Sequence, residues 1–237
     1  MSNPRSSITW LLRIFHSPVL VTSLIFLLWS CAISSRDAVV YHALEYPSPS
    51  RTKEPQSPIS ETLMIYKFLL SPSVESDSLV ISESKGQDQL VRLHRWQENP
   101  ADMVTDLILR DFQESGFFGT TVDQLSNTRY RYALEGTITN LRGILRDNKA
   151  VALIEVDATL TDFDPPAGAK KNIMTRRYSI EAPSSKSDPA SIVRALNLAL
   201  KDLSERLRND VGEVLSKTRR SNSTDKGPGL GSRESPP

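Results

Sequence analysis

Residues 129–163 read RYRYALEGTITNLRGILRDNKAVALIEVDATLTDF and contain the strongest structural signal in the chain. Apolar or small side chains alternate with polar ones from Arg129 to Ile144, and the alternation returns from Ala150 to Phe163. A period of two is typical of strands that bury one face. Because the four polar residues 146–149 separate the two runs, the sequence predicts a long antiparallel hairpin.

Further strands and two helices are predicted around this hairpin. Apolar residues at short spacing predict strands at 39–44, 61–70, 79–82, 89–96 and 173–181, with a turn at 84–88. Asn99 and Gly116 are typical boundaries of a first helix, and Asp188 followed by Pro189 begins a long second one. The predicted fold class is therefore α+β: a single domain with a mostly antiparallel sheet of five or more strands, packed by two helices.

The first thirty residues differ in composition from the rest. Arg5 and Arg13 precede the apolar run 19–29, and small residues follow it, which is the layout of a bacterial export signal. The alternative is a transmembrane anchor, which needs about 20 apolar residues to cross the hydrocarbon layer. The run has 11 residues, so an export signal is favoured.

The segment Leu28-Trp29-Ser30-Cys31 resembles the lipobox of bacterial lipoproteins, with Leu three before the cysteine and a small residue next to it. The resemblance implies cleavage between Ser30 and Cys31, and an S-diacylglycerol and an N-acyl group, such as palmitate, on Cys31. An Asp after the cysteine favours inner-membrane retention in such proteins. Here the residue is Ala32, so we expect delivery to the periplasmic face of the outer membrane.

Composition, together with what the lipobox resemblance implies for Cys31, predicts four segments. Residues 1–30 are the lipoprotein signal peptide, and 31–58 comprise the acylated N-terminus, a short strand and a Pro-rich tether. The tether has four prolines in residues 47–58 and is not expected to hold regular structure. Residues 59–217 form the α+β domain, and 218–237, with almost no apolar side chains, are expected to be disordered.

Several function classes find no support in the sequence. A formal charge of +1 gives no electrostatic case for nucleic acid, and a mean hydropathy of −0.32 excludes a polytopic membrane protein. The single cysteine excludes an internal disulfide framework and a thiolate metal site. We therefore expect neither cofactor nor metal.

The remaining candidate acids, bases and nucleophiles do not form a recognisable catalytic set. His42 and His94 have no ligand-type neighbour at metal spacing and are interpreted as polar strand residues. Asp102 and Asp106 have the i, i+4 spacing that a carboxylate dyad could use, but acids in a first turn also complement the helix dipole. The sequence shows no nucleophile elbow or phosphate-binding glycine pattern, so it does not predict an enzyme.

Residues 95–118, RWQENPADMVTDLILRDFQESGFF, resemble the ABC-type transport auxiliary lipoproteins, including the Pqi-type intermembrane transport lipoprotein. In that family a strand ending in Arg-Trp leads through Pro-Ala to a helix that closes with Ser-Gly-Leu/Phe-Phe. The matching residues here are Arg95, Trp96, Pro100, Met103, Asp106, Leu107, Ser115, Gly116 and Phe118. Tyr41-His42-Ala43-Leu44 is similar to the family's Tyr-x-Leu start, with one residue inserted.

The resemblance implies an accessory role in an envelope system that moves lipids between membranes. Its expected partners are an MCE-domain protein and an ABC permease and ATPase, with a homo-oligomer and a bound phospholipid as further expectations. Trp96, Phe117 and Phe118 either only build the fold or also contact a partner or lipid tail. An alternative is a structural lipoprotein of an outer-membrane secretion or envelope-assembly complex.

Overall fold

The computed structural model describes residues 38–48, 59–74, 76–83, 88–147, 149–164 and 169–224. The described residues from Val39 to Thr224 belong to one compact unit. The predicted signal peptide, its cleavage site and Cys31 lie outside the described residues, as do most of the Pro-rich segment and residues 225–237.

The described residues form nine strands and two helices. In chain order these are β1 Val40–His42, β2 Ile59–Ile65, β3 Leu69–Leu70, β4 Ser78–Glu83, β5 Asp88–Trp96, α1 Pro100–Ser115, β6 Phe118–Asp123, β7 Tyr132–Arg146, β8 Lys149–Asp162, β9 Lys171–Ser184 and α2 Pro189–Thr224. Three of the strands differ from the sequence pattern: the strand predicted at 61–70 is divided into β2 and β3, and no separate strand was predicted for β6.

The predicted hairpin is confirmed as β7 and β8, which pair antiparallel along their whole length. Arg146 is opposite Lys149, so the turn is tighter than the four polar residues suggested, and Asp147 adopts a φ of 45° within it. The pairing shifts between Ile138 and Asn140, which leaves Thr139 as an extra residue in β7. This bulge changes which side chains of β7 face the core, because the side-chain period in a strand is two.

The sheet is mixed: the long pairs β7–β8 and β8–β9 are antiparallel as predicted, as is β4–β5, but the sheet is not purely antiparallel. Among the described strands the main path is β1-β5-β4-β7-β2-β6, with β3 also on β7, and with β8 between β7 and β9. Five pairs are parallel: β1–β5, β2–β6, β2–β7, β3–β7 and β4–β7. The physical reason is the length of β7, whose one edge takes up β2, β3 and β4 in succession while β8 covers the other.

The two helices pack on the sheet and begin at the predicted residues, and α1 also ends as predicted. The Asn99 side chain accepts a hydrogen bond of 2.9 Å from the Ala101 amide, and Gly116 ends α1 in the left-handed conformation at a φ of 63°. Asp188 accepts a hydrogen bond from the Ser191 amide at 2.9 Å. The apolar face of α2 is buried in the core: Ile192, Leu196, Leu200, Leu203, Leu207 and Val211. The helix continues to Thr224, beyond the predicted start of a disordered tail at residue 218.

The folded unit also begins earlier than residue 59. β1 pairs in parallel with β5, and Leu44 and Tyr46 after it are buried in the common core. The Pro-rich segment therefore connects two parts of one domain instead of preceding it. Neither described helix is long and apolar enough to cross a membrane.

Candidate functional site

The aromatic residues singled out by sequence lie mainly in the interior. Trp96 is 6% exposed and Phe118 is 5% exposed. Phe117 is half-buried, with its ring 5.5 Å from that of Phe118 and against Gly212 of α2, where an added Cβ would lie 2.6 Å from the ring. Packing accounts for these side chains, and their contact with a partner or a lipid stays a prediction.

The segment that follows Trp96 lines two neighbouring surface clefts. One, of about 540 Å³, lies at the beginning of α1 and is lined by Leu70, Ser76, Asp77, Trp96, Gln97, Glu98, Asn99 and Pro100. The other, of about 220 Å³, is lined by Ala43, Leu44, Gln97, Glu98, Met103, Asp106 and Leu107. Gln97 and Glu98 are exposed and border both clefts, so they join the two clefts into one accessible surface, which we call the motif surface.

The two acids of the predicted pair, Asp102 and Asp106, have different surroundings. Asp102 forms an ion pair of 2.5 Å with Lys67. Asp106 borders the smaller cleft, and burial, followed by the carboxylates of Asp102 and Asp123, raises its pKa. The two acids therefore differ in electrostatic environment, but a nucleophile and base set is not assembled around them.

The structure brings His42 and His94 together on β1 and β5. His42 Nε2 lies 2.8 Å from His94 Nδ1, and the rings stack with centroids 5.1 Å apart. Burial, with the neighbouring His94, lowers the pKa of His42. Sequence reasoning missed this pair because 52 residues separate its members. No group of three or more metal-ligating side chains occurs within the described residues, so the pair lacks a further ligand there.

A buried carboxylate holds the N-terminal segment onto both helices. Asp111 of α1 is 1% exposed and accepts hydrogen bonds from the Tyr46 hydroxyl at 2.7 Å and the Ser204 hydroxyl at 2.6 Å. Arg110 donates to it from two nitrogens and to the Tyr46 carbonyl at 3.0 Å. Burial, followed by the Asp111 hydrogen bond, raises the pKa of Tyr46. Leu44 is held nearby, since its amide lies 3.3 Å from Met103 Sδ.

A third cleft lies beside the paired strands β7 and β8. It measures about 510 Å³, and its lining includes Tyr66, Lys67, Gln124, Asp157 and Thr159. The Tyr66 hydroxyl is 2.8 Å from that of Tyr130, but Asp157 is engaged by Arg177 at 2.6 Å. The cleft is thus a polar surface feature without an assembled reactive group.

Comparisons with known proteins confirm the resemblance drawn from residues 95–118. The model of a family described as the ABC-type transport auxiliary lipoprotein component matches residues 42–207. The curated proteins contain no match.

Among solved structures, protein XCC0632 from Xanthomonas campestris is similar to this chain at 22% identity and a TM-score of 0.63, over 78% of this chain and 99% of that one. A second structure, of an uncharacterized protein, is similar at 14% identity and a TM-score of 0.56, over 73% of this chain and 99% of that one. At these identities the structural similarity establishes the fold alone.

Proposed function

The chain belongs to the family of ABC-type transport auxiliary lipoproteins, and from this premise we propose that it is a non-enzymatic accessory component of an intermembrane lipid transport system. The family match over residues 42–207 is the observation that carries the proposal. The system would pair an ABC permease and ATPase with an MCE-domain protein.

The proposed location is the periplasmic face of the outer membrane. Residues 1–30 act as a signal peptide, cleavage follows Ser30, and Cys31 carries the diacylglycerol and N-acyl groups. Each buried lipid methylene contributes about 0.8 kcal/mol, and stable anchoring takes more than one chain, so a triacylated Cys31 is sufficient. A Cys31→Ala variant should keep the fold but leave the outer-membrane fraction on a density gradient. Its persistence in that fraction would contradict the anchor.

The proposed partner contact is the motif surface. Gln97 and Glu98 are exposed there and border two clefts, whereas Trp96 lies beneath them and fixes the strand end. An accessory protein needs a surface of this kind because it acts by docking. Binding of phospholipid and of further copies of the chain are additional parts of the proposal, and each can be tested separately on the purified lipoprotein.

The test is cross-linked affinity purification of the full-length lipoprotein from whole envelopes, with partners identified by mass spectrometry. We expect an MCE-domain protein with the wild type and its loss with Glu98→Arg, which reverses the charge between the clefts. Glu114→Arg is the matched control, because Glu114 is an exposed acid at the other end of α1. Recovery of only outer-membrane secretion or assembly proteins would instead favour the structural lipoprotein.

A further inference from the structure

The structure determines how far the folded domain can stand from its anchor. Val39, where the compact unit begins, is the eighth residue after Cys31. Eight residues span at most about 27 Å even when fully extended. A domain that began at Ile59, the twenty-eighth residue after Cys31, could stand roughly 95 Å away. The pairing of β1 with β5 therefore reduces the maximum length of the connection more than threefold.

Exposed apolar side chains concentrate at this end of the domain. Val40 is opposite His94 and Tyr41 opposite Arg95 in the parallel ladder, and the same register places Val39 beside Leu93. Val39, Tyr41 and Leu93 are all exposed, Tyr41 to 63%. Because side chains alternate along a strand, Val39 and Tyr41 lie on the face opposite His42. We call Val39, Tyr41 and Leu93 the edge patch.

We propose that the edge patch rests on the surface of the membrane that holds Cys31 and orients the domain there. This inference relies on the proposed lipid anchor. Because the chain between Cys31 and Val39 is short, the anchor keeps β1 close to the membrane. Tyrosine suits this position, because its ring is apolar while its hydroxyl remains hydrated at the headgroup level. A small patch is sufficient, since the anchor supplies a high effective concentration and the patch only selects an orientation.

A second copy of the chain fits this edge less well. β1 is an edge strand in the described sheet, and an unpaired edge can in principle accept another strand. However, β1 has only three residues, and very short edge strands are one of the ways in which proteins prevent such pairing. The exposed side chains of Val39, Tyr41 and Leu93, rather than a long free backbone edge, are what this site offers.

The test uses the full-length lipoprotein, matured in cells and reconstituted into vesicles of phosphatidylethanolamine and phosphatidylglycerol. A Tyr41→Cys variant is labelled with the environment-sensitive fluorophore NBD, because lipidation leaves the new thiol as the reactive one. Leu125→Cys is the matched control: Leu125 is an exposed leucine, at 83%, and follows β6 at the opposite end of the main strand path. Leu93→Cys repeats the measurement within the edge patch.

We expect a blue-shifted emission at positions 41 and 93, and a loss of this signal when nitroxide-labelled lipid is added, as for a side chain at the headgroup–acyl boundary. The Leu125 label should keep the emission of a water-exposed dye. Water-like emission at all three positions in protein that floats with the vesicles would overturn the orientation while leaving the anchor intact. A blue shift at position 41 that nitroxide lipid does not quench would overturn it in favour of a protein contact.

The anchor itself is checked in the same preparation. Wild-type protein should not react with the fluorophore and should float with the vesicles. If Cys31 takes up the label and the protein stays behind, the proposed anchoring fails, and the membrane contact of the edge patch fails with it.

Discussion

Replacement of Asp111 by Asn should loosen the connection between the N-terminal segment and the two helices. The carboxylate is buried and receives hydrogen bonds from Tyr46 at 2.7 Å, from Ser204 at 2.6 Å and from Arg110. Asparagine has nearly the same shape but no charge and one acceptor oxygen. If the asparagine oxygen faces Arg110, the asparagine amide hydrogens face the hydroxyls of Tyr46 and Ser204. These hydroxyls must then rotate to act as acceptors.

The expected loss follows from these partners. A hydrogen bond to a charged group contributes about 1.5–3 kcal/mol, and removal of one partner of a buried ion pair costs about 3–5 kcal/mol. Arg110 is partly exposed, so water compensates part of its loss, and asparagine keeps some hydrogen bonds. We therefore expect Asp111→Asn to lower the free energy of unfolding by about 2–4 kcal/mol, a large part of the 5–15 kcal/mol typical of a domain.

Urea unfolding followed by tryptophan fluorescence measures this loss. Trp96 is the only tryptophan after residue 30 and is buried, so its emission reports on the folded domain. Ser204→Ala, which removes one donor, should lower stability by about 1–2 kcal/mol, and less in the Asp111→Asn background. A loss below about 0.5 kcal/mol for Asp111→Asn, or strictly additive effects, would refute the role given to this carboxylate.

Two further changes test the packing and the histidine pair. In Gly136→Ala the new Cβ would lie 2.3–2.9 Å from ring atoms of the fully buried Phe68, so urea unfolding should show a loss of about 1–3 kcal/mol; unchanged stability would contradict this packing. The lowered pKa of His42 makes the unfolded chain bind the proton first, so this group reduces stability as pH falls below 6.5, until the folded form is protonated too. Between about pH 7.5 and 5 the His42→Gln variant should therefore lose less stability than the wild type. An equal shift of the urea midpoint in both proteins over this range would argue against a role of His42 in the pH dependence.

Local signals were sufficient for the hairpin and both helices. Alternation defines β7 and β8, and Asn99, Gly116 and Asp188 mark helix ends because they satisfy backbone groups near them in sequence. Strand direction is a tertiary property, and therefore alternation in β2 or β4 could not show that they lie parallel to β7. β6, with the sequence FGTTVD, has too few apolar residues for a clear pattern.

The polar clusters were less accessible to sequence reasoning, with one exception. His42 and His94 meet only because β1 and β5 pair, and nothing in either local sequence indicates the other. Asp111 is different: it follows Ile108 by three residues and precedes Phe112, so helical periodicity places it on the apolar face of α1. A charged residue there predicts a buried partner, although it does not identify Tyr46 or Ser204.

The Pro-rich segment shows why composition alone could not identify the residue at which the folded domain begins. Four prolines in residues 47–58 exclude regular structure in a tether and in an internal loop alike, so only the pairing of β1 distinguishes the two. The pairing of β1 with β5 also indicates which end of these two strands lies nearer the anchor. β1 and β5 run parallel, with Val39 and Leu93 at the end nearer the anchor and the motif surface, from Trp96 onward, just beyond the other end. In the proposed orientation the anchor and the edge patch hold one end of these strands at the membrane. The Gln97 amide donates to the His42 carbonyl at 2.8 Å, so the motif surface begins about 10 Å along the strands from Val39. In the proposed orientation a periplasmic partner that docks on Gln97 and Glu98 therefore contacts the domain close to the membrane.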